Sequence, residues 1–250
     1  MSFNVLIVYD SSSINNLSSN IKKIKNSLEQ FEIDTNVSII NEKFQNVLEK
    51  FSPSIVFNLI PLLSNRFSWF LPAVCEHLTI PYTGSGIFTI STLTGNFFED
   101  ILDYHAIKWD KTVNNNLYHI SILGNKEELI INILDFDKNS NTLKKSTLNT
   151  EIIEKISPLS VNLKKALKIN DYLSFYLSFD QTQNGDIAIN KIDPSPSLDE
   201  NSHFCISLKR LGINYEEIII GILVCAMERY NISIPKNIKQ LKDQIFKNIG

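Results

Sequence analysis

Across the first 85 residues, short apolar runs alternate with stretches of helical periodicity, and few architectures accept that order. Val5 to Val8 is a compact run typical of a strand covered on both faces. The Ser/Asn-rich "SSSINNLSSN" follows as a loop and helix cap. Ile21, Ile24, Leu28 and Phe31 then recur at helical spacing, which predicts an amphipathic helix over Ser19 to Phe31. "TNVSII" reads as a second strand, and "EKFQNVLEKF" as a helix stopped at Ser52-Pro53. "SIVFNLI" is a third strand, "WFLPAVCEHL" a helix entered near Pro72, and "IPYTG" a short fourth strand. Strand–helix alternation of this kind implies a parallel, Rossmann-like sheet. Ligands of such sheets bind beyond the carboxyl ends of the strands. The "YDSSS", "NLIPLLSNR" and "YTGSG" loops are therefore expected on one rim, with Arg66 placed to meet an anion or to stay solvated.

After residue 115 the texture changes. "LYHISILG", "ELIINILDF", "YLSFYLSFD" and "DIAINKID" read as strands with few helices between them. Asn184-Gly185 stands between the last two, so they are expected to form a hairpin. Helices are expected around 201–211, 214–230 and 236–247. No repeat or low-complexity linker interrupts the chain. The expected organisation is a Rossmann-like domain over 1–90, a helical connector over 91–116 and an α+β half over 117–250.

The 250 residues suffice for a sizeable core, and 43% hydrophobic with 20% charged is an ordinary globular balance. A net charge of −3 argues against non-specific nucleic-acid binding, which needs a basic surface. Cys75, Cys205 and Cys225 are scattered without a C-x-x-C pair, which fits reduced thiols in a cytoplasmic compartment. "MSFNVLIVYD" lacks the basic start of a signal peptide. The apolar run from Ile218 to Met227 is too short for a bilayer, so a buried helix is expected there and no membrane partner.

"PYTGSGIFTISTLTGNFFED" joins a tight Gly-Ser turn to a helix, yet no Lys or Arg follows before Lys108. Gly84 and Gly86 permit positive φ, so the turn also reads as a plain strand-to-helix connection. His77, His105, His119 and His203 show no metal-ligand spacing, and no Ser/His/Asp or Cys/His nucleophile arrangement stands out.

Three stretches, residues 57–86, 120–125 and 192–230, together resemble the D-alanine–D-alanine ligase family of the ATP-grasp superfamily. The resemblance implies a pre-ATP-grasp domain followed by an ATP-grasp half. It also implies a chemistry in which ATP phosphorylates a carboxylate and an amine displaces the phosphate. Such chemistry needs lysines on the triphosphate and carboxylates on magnesium. This chain departs from that pattern. Where the family carries Asp-Lys and a further Lys after the turn, the chain has Gly95-Asn96 and Asp100. "HAIKWDKTVNNNLYHISILGN" runs almost directly to the later strand, so most of the central ATP-binding subdomain is expected to be absent. The family's Arg-x-Asp aligns with Ser174 and Tyr176, and its Glu-x-Asn-Pro with Lys191 and Asp193-Pro194. The N-terminal Gly-Gly-x-Ser-x-x-Glu pattern is missing from "YDSSSINN", and Pro61-Leu62 replaces a Glu-Gly. "PSPSLDENSHF" retains the Pro-x-Pro turn and Ser202, where the family meets a substrate carboxylate.

The resulting expectation is a shortened, catalytically inactive ligase-like protein with no catalytic residues and no cofactor. It would act as a binding or regulatory partner of an active ATP-grasp ligase or of a second copy of itself. Ser202, Ser85 and Asp193 are the candidate substrate-binding residues, for a small amino acid or dipeptide, and Asp193 is the sole residual metal candidate. Ser202 also reads as a helix N-cap, with Asp199 and Asn201 as rivals, and Lys191 with Asp193 as an ordinary ion pair. Two other functions are open: a carboxylate–amine ligase using ATP and magnesium with Lys108, Lys111 or Lys191 in altered roles, and an amino-acid sensor.

Overall fold

The computed structural model describes residues 3–10, 14–62, 67–112, 117–125, 128–180 and 186–247. β1 (Asn4–Tyr9) lies at the centre of a three-stranded parallel sheet, between β2 (Asp34–Ile39) and β3 (Ile55–Asn58). Helix α1 (Ile14–Glu29) returns from β1 to β2, and α2 (Phe44–Phe51) from β2 to β3. The two faces of β1 serve two cores. Val5 and Ile7 join Ile24 and Leu28 of α1. Leu6 and Val8 join Phe44 and Leu48 of α2. A strand covered on both sides explains why its run is apolar throughout rather than alternating. Helix α2 ends at Ser52, whose φ of 43° turns the chain left-handed before Pro53.

Two details of this half differ from expectation. Helix α3 (Phe67–His77) begins a turn before Pro72, so the proline sits inside it. The fourth strand shrinks to one parallel bridge, Val56 with Tyr82, closed by Val56 N–H to Pro81 O at 2.8 Å and Thr83 N–H to Val56 O at 2.9 Å. The Asn58 N–H donates to Thr83 Oγ1 at 2.9 Å, which ties the end of β3 to the "YTGSG" turn. The predicted rim therefore exists at these two loops. Residues 11–13 and Arg66 lie outside the described residues.

Two short helices follow, α4 (Ile87–Thr94) and α5 (Phe98–Tyr104). The chain then enters a five-stranded antiparallel sheet in the order β6-β5-β4-β7-β8. Its strands are β4 (Leu117–Gly124), β5 (Leu129–Asp137), β6 (Thr142–Lys145), β7 (Tyr172–Asp180) and β8 (Asp186–Asp193). β7 and β8 pair antiparallel as the hairpin reading expected, although its Asn184-Gly185 turn lies outside the described residues. The expectation of few helices here is corrected by α6 (Thr150–Ala166), capped by the Asn149 side chain. Its Ile152, Ile156 and Leu163 pack under Ile120, Ile122, Leu173 and Phe175 on one face of the sheet.

The other face meets α7 (His203–Lys209) and α8 (Tyr215–Arg229), with α9 (Lys236–Lys247) packed on α8. Ile218 to Met227 are buried on every side of α8, because it lies against α1, α7, α9 and β4 at once. That burial accounts for the unbroken apolar run, and one core thereby spans β1, α1, β4 and the last three helices. Asn214 starts α8 with a capping box: its side chain accepts from Glu217 N–H at 2.9 Å, and Glu217 accepts from Asn214 N–H at 2.8 Å. Replacing Asn214 with Ala removes the side chain that satisfies the Glu217 amide. A loss of about 1 kcal/mol is expected, read as a fall of roughly 2–4 °C in thermal unfolding followed by circular dichroism.

Candidate functional site

The turn after the bridge strand is held by an ion pair from the far end of the chain. Gly84, with φ of 85°, lets the chain double back, which a side chain would resist. Its N–H donates to Asp171 Oδ2 at 2.7 Å. Arg229, the last residue of α8, donates to both Asp171 oxygens, from Nε at 3.2 Å and Nη2 at 2.9 Å. The same Nη2 reaches Tyr82 O at 2.7 Å and Gly84 O at 3.3 Å. Asp171 is fully buried. Burial opposes the charge on Arg229, but Asp171 outweighs it and holds the guanidinium above its ordinary pKa. Tyr82 and Tyr230 flank that guanidinium at 5.5 and 4.4 Å. Gly86 does not adopt positive φ, contrary to expectation: its φ is −94°. It is glycine because a Cβ would lie 2.7 Å from Tyr82 Oη and 2.8 Å from Glu76 Oε1, which are themselves hydrogen-bonded.

Beneath α7, two polar rows cross the antiparallel sheet. Asn132, Ser121, Ser174 and Asp193 stand opposite one another on β5, β4, β7 and β8. Leu134, His119, Tyr176 and Lys191 form the next row. Of these eight residues, only Asp193 is a carboxylate. Its Oδ1 accepts from Ser195 N–H at 3.2 Å. Burial raises its pKa against the pull of that bond and of the Lys191 charge. No ion pair within 4 Å joins Lys191 to Asp193 among the described residues; Lys191 is exposed, with Nζ 5.9 Å from the Tyr176 ring centre.

The second row continues into α7. Tyr176 Oη lies 2.9 Å from His203 Nδ1, and His203 Nε2 lies 3.2 Å from Asn141 O. The carbonyl requires a donor, so Nε2 carries the proton and Tyr176 donates to Nδ1. The His119 ring stacks edge-on against Tyr176 and His203, with centroids at 5.0 and 5.7 Å, and Phe136 packs on Tyr176 and His203. Burial pushes the His119 imidazole down to about 3, and its electrostatic interaction with the neighbouring His203 acts in the same direction. No group of three or more His, Cys, Asp or Glu is placed to hold a metal ion among the described residues.

The three candidate residues do not converge. Ser202 caps α7, its Oγ accepting from Cys205 N–H at 3.2 Å, as its alternative reading expected. Asp199 instead accepts from Asn201 N–H at 2.8 Å and from Asn20 Nδ2 at 2.8 Å. Ser85 is buried and accepts from Asn170 N–H at 3.3 Å. Asp193 alone faces the polar rows. Lys111 pairs with Glu99 at 2.7 Å, away from both. Sequence reasoning missed Asp171, Arg229 and the meeting of His119 with His203. It also missed Lys164 of α6, whose amine is buried, donates to Gly124 O and has its pKa lowered by that burial.

Asp171→Ala is expected to destabilise the fold by about 3 kcal/mol, since it strands a guanidinium that is only 20% exposed and the buried Gly84 amide; Asp171→Asn, which keeps an acceptor, should fall between, as measured by denaturant titration. For Asp193 the folded pKa lies above the unfolded value, so its contribution is complete at low pH and is lost as pH rises through the folded pKa. Asp193→Asn should therefore raise stability at pH 7, and the gain should vanish below about pH 4, as followed by thermal unfolding against pH.

No protein-family model and no curated protein matches the chain. Among solved structures it is similar to the crystal structure of D-alanine–D-alanine ligase from Bacillus anthracis complexed with ATP. The TM-score is 0.76 at 14% identity, over 92% of this chain and 99% of that one. A second structure of the same ligase gives a TM-score of 0.73 at 14% identity over the same shares. The likeness is one of fold: a parallel sheet and an antiparallel sheet are joined here as they are in a D-alanine–D-alanine ligase.

Proposed function

We propose that this chain is a degenerate ATP-grasp protein of the D-alanine–D-alanine ligase type that has given up catalysis and works as a binding or regulatory partner. The observation that carries this reading is the pair of polar rows on β5, β4, β7 and β8. Where the resemblance expects carboxylates for magnesium, the rows offer one carboxylate, an ammonium, two hydroxyls and a histidine–tyrosine cluster. Magnesium takes hard oxygen ligands in octahedral order. Asp193 favours its protonated form more than an ordinary Asp and stands one strand position pair from Lys191. These residues do not fit a magnesium-bound nucleotide.

The turn supports the same reading. An amide that could face a phosphate is already satisfied by the Asp171 carboxylate, and the nearest strong cation, Arg229, is spent on that carboxylate and on two carbonyls. The passage from α5 to β4 occupies residues 105–116 alone, in keeping with a reduced central subdomain. Reaction by phosphoryl transfer depends on positioned charge, and the charges here are neutralised within the fold. A chain with this surface and no reaction of its own acts by contact with another chain.

Calorimetric titration with Mg-ATP, with and without D-alanine, tests the reading. No magnesium-dependent heat and no phosphate release are expected. Micromolar, magnesium-dependent binding accompanied by dipeptide formation overturns it.

A further inference from the structure

Strand β2 ends the parallel sheet, and its outer edge is open. Ile40 N–H donates to Tyr9 O, and the register sets Tyr9 beside Ile39. The even-numbered residues of β2 therefore turn their amides and carbonyls toward β1, and Thr35, Val37 and Ile39 turn theirs outward. None of these three has a backbone partner on that side among the described residues. Val37 and Ile39 are each 38% exposed, whereas Thr35 is 5% exposed. Asp34–Ile39 contains no Pro, no Lys and no bulge, the usual protections of an edge.

We infer that this edge is an interface between two copies of the chain, joined as an antiparallel β2–β2 pair about a two-fold axis at Val37. Charge along the strand favours a second copy in this orientation. Exposed Glu32 and Asp34 mark its start. Past its end, Lys43 and Lys50 line a recess of about 640 Å³ with Val47, Phe51 and Phe67; Glu42 in the same recess offsets one lysine. Antiparallel pairing sets the acidic start of each strand against the basic recess of the other, and a parallel pair would set like against like. A two-fold contact must be self-complementary, and this surface is.

The outward groups also fix the register. Val37 faces the partner's Val37 and Thr35 faces the partner's Ile39, so all three outward residues of each strand exchange N–H···O=C bonds. Asn36 then stands opposite the partner's Ser38 as a close, non-bonded pair. The result is one continuous six-stranded sheet across two copies. Oligomeric state and Mg-ATP binding are measured independently, so this interface and the loss of catalysis stand or fall separately.

Sedimentation equilibrium of the full chain over a range of concentrations should show a monomer–dimer equilibrium. Val37→Lys should weaken it by about tenfold or more while leaving the circular dichroism spectrum unchanged. Val37→Pro, which deletes only an outward amide, should do the same. Chains carrying Asn36→Cys and Ser38→Cys should cross-link when mixed under oxidation, and neither should do so alone; the native cysteines are all buried. A chain that stays monomeric throughout, including one whose β2 edge takes up only a foreign strand, overturns the inference. So does a dimer indifferent to Val37→Lys, or cross-linking confined to the single-cysteine chains.

Discussion

The ion pair between Arg229 and Asp171 is the constraint on which the junction of the two sheets rests. Asp171 immediately precedes β7, Arg229 closes α8, and both grip the turn at Tyr82 to Gly84. Asp171 is cut off from water and the Arg229 side chain is only 20% exposed, so the buried carboxylate is stable because the guanidinium meets it in bidentate geometry. Asp171 also holds a left-handed φ of 56°. That conformation costs about 1 kcal/mol outside glycine, and the three hydrogen bonds to its carboxylate offset it.

The same economy of charge explains the candidate site. This chain directs its strongest cation and a buried carboxylate at each other and at its own backbone. Lys164 is likewise turned inward, onto Gly124 O. Across the antiparallel sheet, Ser174 stands opposite Asp193 and Tyr176 opposite Lys191. The aromatic and imidazole rings of His119, Tyr176, His203 and Phe136 pack on one another there.

Some of this was legible beforehand, for identifiable reasons. β4, β7 and β8 match their predicted runs because β-branched and aromatic residues alternate within clear limits. The cap at Ser202 was readable because capping is local chemistry, completed within three residues. Helix α6 escaped notice because Pro158 and the polar "VNLKK" break its pattern, and β6 because Thr142–Lys145 buries only Leu143. Gly86 was read as a conformational glycine, whereas it is one of close approach, which only the positions of Tyr82 and Glu76 reveal.

The sequence by itself determined the order of strands and helices, the buried helix at Ile218 to Met227 and the thinning of charge along the family-like motifs. These follow from periodicity and composition, which act over a few neighbouring residues. Only the tertiary structure decided which charges meet. Asp171 and Arg229 are 58 positions apart, and no local pattern marks them as partners. His119 and His203 come together only when β4 and α7 pack. Side chains pair through space, and burial strengthens that pairing by removing water, so the inward use of charge that shapes this protein belongs to the fold.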